Sequence, residues 1–442
     1  MNSVLGIPIS DTWTTSPLKR ITSVLNRGSA PEYVDESPVR VISQAANQYG
    51  GLDWSRTRFH NFNGDPTKLK GHLQENDIII NSTGTGTLGR VGYFTEPLNG
   101  IPCMADGHVT VVRVKKHKVN PRFVYYWLTS KPFQEYIHSS LAIGATNQIE
   151  LNRDRLSDTH IPNPPISEQQ RIVDFLEAET AHIDRLIETQ NRVLEKLAER
   201  RMAGITQAVS GTDQTGTRPS SLTWLEKIPS TWKEVRLSLI ARMGSGHTPS
   251  RSHPEWWVDC TIPWITTGEV RQVRNDRLED LHETREKISE LGLANSAAEL
   301  RPAGTVVLCR TASAGYSAVM GTDMATSQDF VTWTCGPRLN PYYLLWCLRA
   351  MRPDLLGRLA MGSTHKTIYV PDLQMLRIPL PPIGEQQKIV QQIREQNARI
   401  DRLADAVRLQ VALLAERRQA LITAAVTGQI DVSTASGRGI ED

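Results

Sequence analysis

One stretch of this 442-residue chain has the residue types and spacing to hold a cofactor. Gly84, Gly86 and Gly89, within NSTGTGTLGRVGYF, satisfy the GxGxxG spacing by which a strand-to-helix turn presents backbone N–H groups to a dinucleotide or to S-adenosylmethionine. That chemistry needs a helix directly after the glycines, with its N-terminus facing the phosphate or the cofactor. The residues that follow, RVGYF, read as another strand, and the matching segment of the second half, CRTASAGYSAV, lacks the glycines. A glycine-rich hairpin or exposed loop is the expectation.

Asn163-Pro164-Pro165-Ile166 presents a second lure. An (N/D)PP(Y/F) motif lets an amide and a carbonyl accept hydrogen bonds from a target amine while the aromatic ring stacks on a flipped base. Ile166 cannot stack in that way, and a second copy of the segment reads Leu380-Pro381-Pro382-Ile383. A group on which chemistry depended would not exchange with leucine, so both segments are expected to start helices. No lysine has Asp or Glu two residues before it, as a PD-(D/E)xK nuclease centre requires, and no GxxxxGK[ST] phosphate loop is present. The 11 histidines lack metal-ligand spacing. Cys103, Cys260, Cys309, Cys335 and Cys347 are scattered without a CxxC pair and read as reduced, mostly buried thiols. Residue by residue, no catalytic group emerges.

The elements that carry these segments repeat. Residues 161–211 align without a gap on residues 378–428, at an offset of 217, with about half the positions identical. Each copy opens with Pro-Pro-Ile, then Ser167 or Gly384 as the expected N-cap, then Glu168 or Glu385 where an acid complements the helix dipole. Apolar residues recur at helical spacing through Leu176, Ile183, Leu186, Leu194, Leu197, Ile205 and Ala208. The second copy matches them with Ile393, Ile400, Leu403, Val407, Leu414, Leu421 and Ala425. Gly211 and Gly428 stand where C-terminal glycines belong. Two long helices paired as a coiled coil are expected, each roughly 60 Å long at 1.5 Å per residue.

The stretches between them differ in kind. Runs such as DIII, VTVVRV, TVVLC and FVTW, set among Thr, Tyr, Trp, Gly and Pro, read as short strands. Residues 109–130 resemble 330–350, and GATNQ (144–148) answers GSTHK (362–366), so the two regions share a skeleton while differing widely elsewhere. The expected fold is α+β: two mixed, mostly β lobes separated by two long antiparallel coiled-coil helices with pseudo-two-fold symmetry. The boundaries are lobe 1–160, helix 161–211, polar flexible linker 212–221, lobe 222–377, helix 378–430 and flexible tail 431–442. No apolar run reaches the roughly 20 residues of a membrane span. The N-terminal MNSVLGIPISDTW lacks a signal-peptide pattern, which makes a cytoplasmic protein the expectation.

With these residues in place, the chain resembles the specificity subunit of type I restriction–modification systems. IPNPPISEQQRIV and IPLPPIGEQQKIV are similar to the conserved regions of that family, and 1–160 and 222–377 to its target-recognition domains. GSGHTPSRS (244–252), followed by IPWITTGEV, looks like the opening of such a domain, whereas NRGSAPEYVDE in the first lobe lacks the Thr-Pro. The resemblance implies a non-catalytic subunit that recognises a bipartite duplex DNA target. It also implies two methyltransferase subunits and two endonuclease/translocase subunits as partners, which carry the S-adenosylmethionine, magnesium and ATP chemistry. The competing readings are a self-contained adenine methyltransferase and a coiled-coil protein scaffold.

Base reading calls for hydrogen-bonding side chains at base edges, and phosphate contacts set the register. The candidates are Arg56, Arg58, Lys68, Lys70, Arg90, Asn147 and Gln148 in the first lobe. In the second they are Thr266, Thr267, Arg271, Arg274, Arg310, Thr311, Thr364, His365 and Lys366. The repeated Glu-Arg-Arg of LAERR, namely Glu199, Arg200, Arg201, Glu416, Arg417 and Arg418, is the candidate for docking methyltransferase subunits through faces left out of the helix pairing. The net charge is only +3, and the slight basic excess lies in the lobes, so weak DNA affinity is expected from the chain alone.

Overall fold

The computed structural model describes residues 2–144, 149–212, 216–360 and 366–432. It divides into two compact units, one formed by 1–191 with 409–442 and the other by 192–408. Each long helix therefore contributes one half to each unit.

Both repeats fold as helices of 45 residues, Ile166–Ser210 and Ile383–Thr427. They start two residues earlier than caps at Ser167 and Gly384 imply. The carbonyls of Pro165 and Pro382 accept the first backbone N–H groups, from Glu168 and Gln169 and from Glu385 and Gln386. Ser167 and Gly384 thus lie inside the first turn rather than capping it. At the other end Gly211 and Gly428 take φ of +63° and +69°, the left-handed conformation that a closing glycine supplies without strain.

In the first unit Ile172, Val173 and Leu176 share a core with Ile422, Ala425 and Val426; in the second, Ile205, Ala208 and Val209 share one with Ile389, Val390 and Ile393. Rising numbers on one helix meet falling numbers on the other, so in each unit the two halves run antiparallel. The seam is interrupted at one repeated position. Leu186 and Leu403, placed in the stripe on spacing alone, are 38% and 57% exposed.

The first lobe is built on a four-stranded antiparallel sheet ordered Val91–Phe94, Asp77–Asn81, Val109–Val114, Thr22–Arg27. Its central strand, DIIIN, is buried along its whole length because both faces are covered. A second sheet orders Cys103–Ala105, Arg40–Ile42, Arg58–His60 and Tyr33–Val34. The second lobe repeats the plan with a five-stranded sheet and a three-stranded one of Glu286–Ile288, Ile262–Ile265 and Ala325–Thr326. The last strand of each lobe comes from the repeat itself: His160–Asn163 pairs with Thr14–Pro17, and Arg377–Leu380 with Lys233–Arg236. The expected linker is also partly ordered, since Thr217–Pro219 pairs with Lys227–Pro229.

Two glycines show that the lobes open alike. A Cβ on Gly246 would lie 2.1 Å from the Thr326 carbonyl oxygen, and one on Gly28 would lie 1.9 Å from that of Ala105. Both carbonyls belong to strands paired in parallel in the second sheet of each lobe. Gly28-Ser29-Ala30-Pro31 is therefore the first lobe's version of Gly246-His247-Thr248-Pro249, despite the missing Thr-Pro. All five cysteines are free thiols. Burial pushes the Cys103 and Cys309 thiols up to about 12, which withholds the reactive thiolate.

Candidate nucleic-acid interface

The lobes are fastened to the long helices by the same clamp. In the first unit the Asn120 side chain caps a short helix, Pro121–Thr129, by accepting from the Arg122 N–H at 2.8 Å. The Asn120 backbone N–H donates in turn to Gln169 Oε1 at 2.7 Å, and Gln169 Nε2 donates to the Pro164 carbonyl at 2.8 Å. The second unit has Asn340 capping Pro341–Ala350, its N–H donating to Gln386 Oε1 at 2.8 Å while Gln386 Nε2 reaches the Pro381 carbonyl at 2.8 Å. Both glutamines are fully buried. The clamp gives the Pro-Pro-x-x-Glu-Gln and Asn-Pro segments one physical cause. A buried amide satisfies a helix cap and a proline turn together, so neither polar group is left unpaired. Asn163 Oδ1 also accepts from Gln169 Nε2, at 3.2 Å, so the amide belongs to this clamp.

Trp13 and Trp232 fasten the lobes at a second point. Their rings pack where a Cβ on Gly428 or Gly211 would stand, at 2.9 Å and 2.7 Å. Trp13 Nε1 donates to Glu168 at 3.0 Å, and the Ser10 N–H donates to the Thr427 carbonyl at 3.0 Å.

The candidate base-reading residues separate into three groups. Arg56, Arg58, Lys68 and Lys70 are exposed in the first lobe. Arg56 pairs with Asp53 at 2.8 Å, and the Arg58 guanidinium lies 3.8 Å from the Tyr33 ring centroid, a partner that leaves its edge available. In the second lobe Thr266 and Thr267 are half-buried in a tight turn and lead into the helix Val270–Val273, whose valines are buried while Arg271 and Arg274 are exposed. Lys366 is exposed as well.

Arg90, Arg310 and Thr311 form the second group, and the structure turns them inward. Arg90 Nη1 donates to the Asn47 carbonyl at 3.0 Å and to Gln48 at 2.8 Å, holding the hairpin that carries Tyr49. Arg310 Nε donates to the Gln328 carbonyl at 2.9 Å, and the Thr311 hydroxyl donates to Asp329. Part of the hydrogen-bonding capacity of each is thus taken up within its own lobe, by loop carbonyls or a carboxylate. The third group, Asn147, Gln148, Thr364 and His365, lies outside the described residues.

Sequence reasoning missed the groups that hold the second lobe's presenting segment. The Glu269 carboxylate, 1% exposed, accepts from the Arg285 N–H at 2.9 Å and from Gln272. At the other end Asp276, at φ of +57°, receives both Arg352 Nη groups at 2.8 and 2.6 Å. Arg349 is fully buried and donates to the carbonyls of Asp276 and Leu278 at 2.9 and 2.6 Å. Burial lowers its guanidinium to about 10, against the raising effect of Asp276. An alternating charge pattern in the sequence does not distinguish such buried arginines from solvated ones.

The glycine motif forms no cofactor turn. Gly84, Gly86 and Gly89 all take positive φ between the antiparallel strands Asp77–Asn81 and Val91–Phe94, so the segment is a hairpin. Within the Glu-Arg-Arg pairs, Glu199, Arg200, Glu416 and Arg417 are exposed. Arg201 and Arg418 are not left out of the helix pairing: they bind Asp401 and Asp184 on the opposite helix, both at 2.9 Å. Among the described residues no three His, Cys, Asp or Glu side chains are placed to hold a metal ion, and no helix is long and apolar enough to cross a membrane.

Two lobes of common skeleton and different surface, each clamped alike to a duplicated helix pair, define a two-module recognition protein. The family model of the type I restriction modification DNA specificity domain matches residues 36–196 and again 229–401. The chain belongs to that family and carries two copies of its domain, as a DNA sequence-recognition subunit. It is 22% identical over 426 residues to the type I restriction enzyme EcoBI specificity subunit of Escherichia coli, covering 90% of this chain and 87% of that one. It is 27% identical over 164 residues to the MjaIX specificity subunit of Methanocaldococcus jannaschii, a match spanning 37% of each chain. A chain solved in work on complex assembly and conformational transition of the type I R-M system has the same fold, with a TM-score of 0.69 and 18% identity, covering 96% of this chain and 99% of that one.

Proposed function

We propose that each lobe reads one half of a bipartite duplex target, that the long helices set the interval between the halves, and that the same helices dock methyltransferase subunits. The duplicated clamp of Gln169 on Asn120 and Gln386 on Asn340 carries this reading. It ties two differing lobes to matched seats, as a modular reader requires. Two modules on one spacer bind as a bivalent ligand, and the second half-site meets a high effective concentration only at the correct separation.

In this reading the chain itself is not an enzyme. Two methyltransferase subunits bring S-adenosylmethionine, and two endonuclease/translocase subunits bring the magnesium and ATP chemistry. Exposed Glu199, Arg200, Glu416 and Arg417 are the docking candidates, together with the apolar side chains of Leu186, Val193, Leu403, Leu409 and Leu413, which the helices leave 38–61% exposed. The reading also makes the protein cytoplasmic. A self-contained methyltransferase is disfavoured because Asn163 is engaged by Gln169 and is followed at the helix start by Ile166. Co-expression with a type I methyltransferase subunit as partner, followed by methylation mapping, tests the proposal. A split motif with a fixed gap is expected, and methylation without sequence preference would overturn it.

A further inference from the structure

Beyond the shared clamp, each lobe is joined to a long helix by one ion pair at a repeat-equivalent helix position, and the two pairs are opposite in sense. Position 177 of the first helix is Glu, and Arg122 Nε of the first lobe donates to its Oε1 at 2.8 Å. The equivalent position on the second helix, 394, is Arg, whose Nε and Nη2 donate to Glu279 of the second lobe at 3.0 and 2.6 Å.

Each guanidinium also lies over a tyrosine. Arg122 stands 4.2 Å from the Tyr93 centroid, and Arg394 stands 4.5 Å from that of Tyr342. On the lobe side Arg122 and Tyr342 occupy the same step of the Asn-Pro helices, two residues after Asn120 and Asn340. The cation therefore comes from the lobe in one unit and from the helix in the other, and the tyrosine under it comes from a strand in the first lobe and from the Asn-Pro helix in the second.

Several neighbouring contacts are common to the two seats. Gln169 and Gln386 make the same clamp, and Trp13 and Trp232 abut equivalent glycines. The acids that hold Arg277 of the second lobe, Asp401 and Asp405, are matched in the first repeat by the acids Asp184 and Glu188. Either lobe could thus satisfy these parts of either seat.

We propose that the reversed ion pair is the key that assigns each lobe to its own seat on the helices. With the second lobe on the first seat, Glu279 faces Glu177. With the first lobe on the second seat, Arg122 faces Arg394. In each mismatch like charges oppose, and in the first Tyr342 also loses the Arg394 cation, a repulsive element of the kind that specificity requires. Glu279, whose side chain is 13% exposed, is poorly placed to relieve the first mismatch through water. The key keeps the chain hetero-bivalent, with two different modules in a fixed order. It rests on the modular reading above, but its test involves neither DNA nor partner subunits.

The test is the same substitution, Glu177→Arg, in two full-length chains. One is the native chain; the other carries a second copy of residues 222–377 in place of the first lobe. In the native chain the substitution is expected to lower the folded-to-unfolded ratio in urea by about three- to tenfold, with Arg122→Glu restoring most of it. In the chain with the duplicated lobe the same substitution is expected to raise that ratio by a similar factor. An effect of the same sign in both chains overturns the proposal. If neither form of the duplicated chain folds, the native chain decides. Failure of Arg122→Glu to rescue Glu177→Arg, or of Arg394→Glu to rescue Glu279→Arg, then overturns it.

Discussion

Arg201 forms a two-pronged ion pair with Asp401 across the helix pair, each Nη standing 2.9 Å from one carboxylate oxygen. The same Asp401 takes Arg277 Nε of the second lobe at 3.0 Å, so one carboxylate joins both helices and the lobe. Its repeat-equivalent Asp184 binds Arg418 in the first unit, where no second guanidinium is seen on it among the described residues. The fork of the guanidinium matches a carboxylate, and a lysine cannot reproduce that geometry.

Arg201 is only 11% exposed, so its loss leaves Asp401 with Arg277 alone. Arg201→Ala is expected to cost about 1–3 kcal/mol, between the values for exposed and buried pairs, and Arg201→Lys to recover less than half of it. The urea midpoint of the full chain measures both. Equal midpoints for the wild type and Arg201→Ala would remove this pair from the account.

The buried glutamines should matter more than their polar character suggests. Gln386→Leu strands the Asn340 N–H and the Pro381 carbonyl, each without water, and is expected to cost about 2–4 kcal/mol. Gln169→Leu should behave alike in the first unit. Hydrogen exchange at the Asn120 and Asn340 amides reads the effect directly, since protection of each amide should fall only in its own variant.

The exposed arginines of the second lobe's candidate reading segment and the arginines that hold that segment should fall into different classes. Arg271→Ala removes an exposed side chain. It is expected to leave stability within about 0.5 kcal/mol while relaxing the sequence preference in one half-site by about 1–3 kcal/mol. Asp276→Ala leaves Arg349 and Arg352 buried without their carboxylate and should cost roughly 3–5 kcal/mol. Thermal unfolding and a base-substituted target series separate the two results.

Much of this molecule was legible in the sequence because repetition is easy to see and has few physical readings. The helix pair, its closing glycines and the hairpin at Gly84–Gly89 follow from spacing and from Gly conformations that few other residues adopt. The stripe misassigned Leu186 and Leu403, since helical periodicity cannot show where a seam opens. Arg90, Thr311, Arg201 and Arg418 were read as available because sequence gives charge but not direction. The structure sends each to a carbonyl or carboxylate that lies far away in the chain. The kinship of Gly28 with Gly246 was hidden because a close backbone approach, rather than the neighbouring Thr-Pro, fixes that residue.

The spacer role of the helices is open to a length test. Four residues inserted into both long helices, after Asn191 and after Arg408, add about 6 Å at 1.5 Å per residue, close to two base pairs. The preferred gap of the methylated motif is expected to lengthen accordingly. An unchanged gap in an active variant would refute the ruler.

Replacement of one lobe separates modular reading from joint reading by the two lobes. The first lobe, residues 1–160, is exchanged for that of a relative with Arg122 and the Asn120-Pro121 segment retained, and the chain is co-expressed with its methyltransferase and mapped by methylation. One half of the split motif is expected to change while the other half and the gap stay as they were. A change in both halves, or in neither, would contradict modular reading.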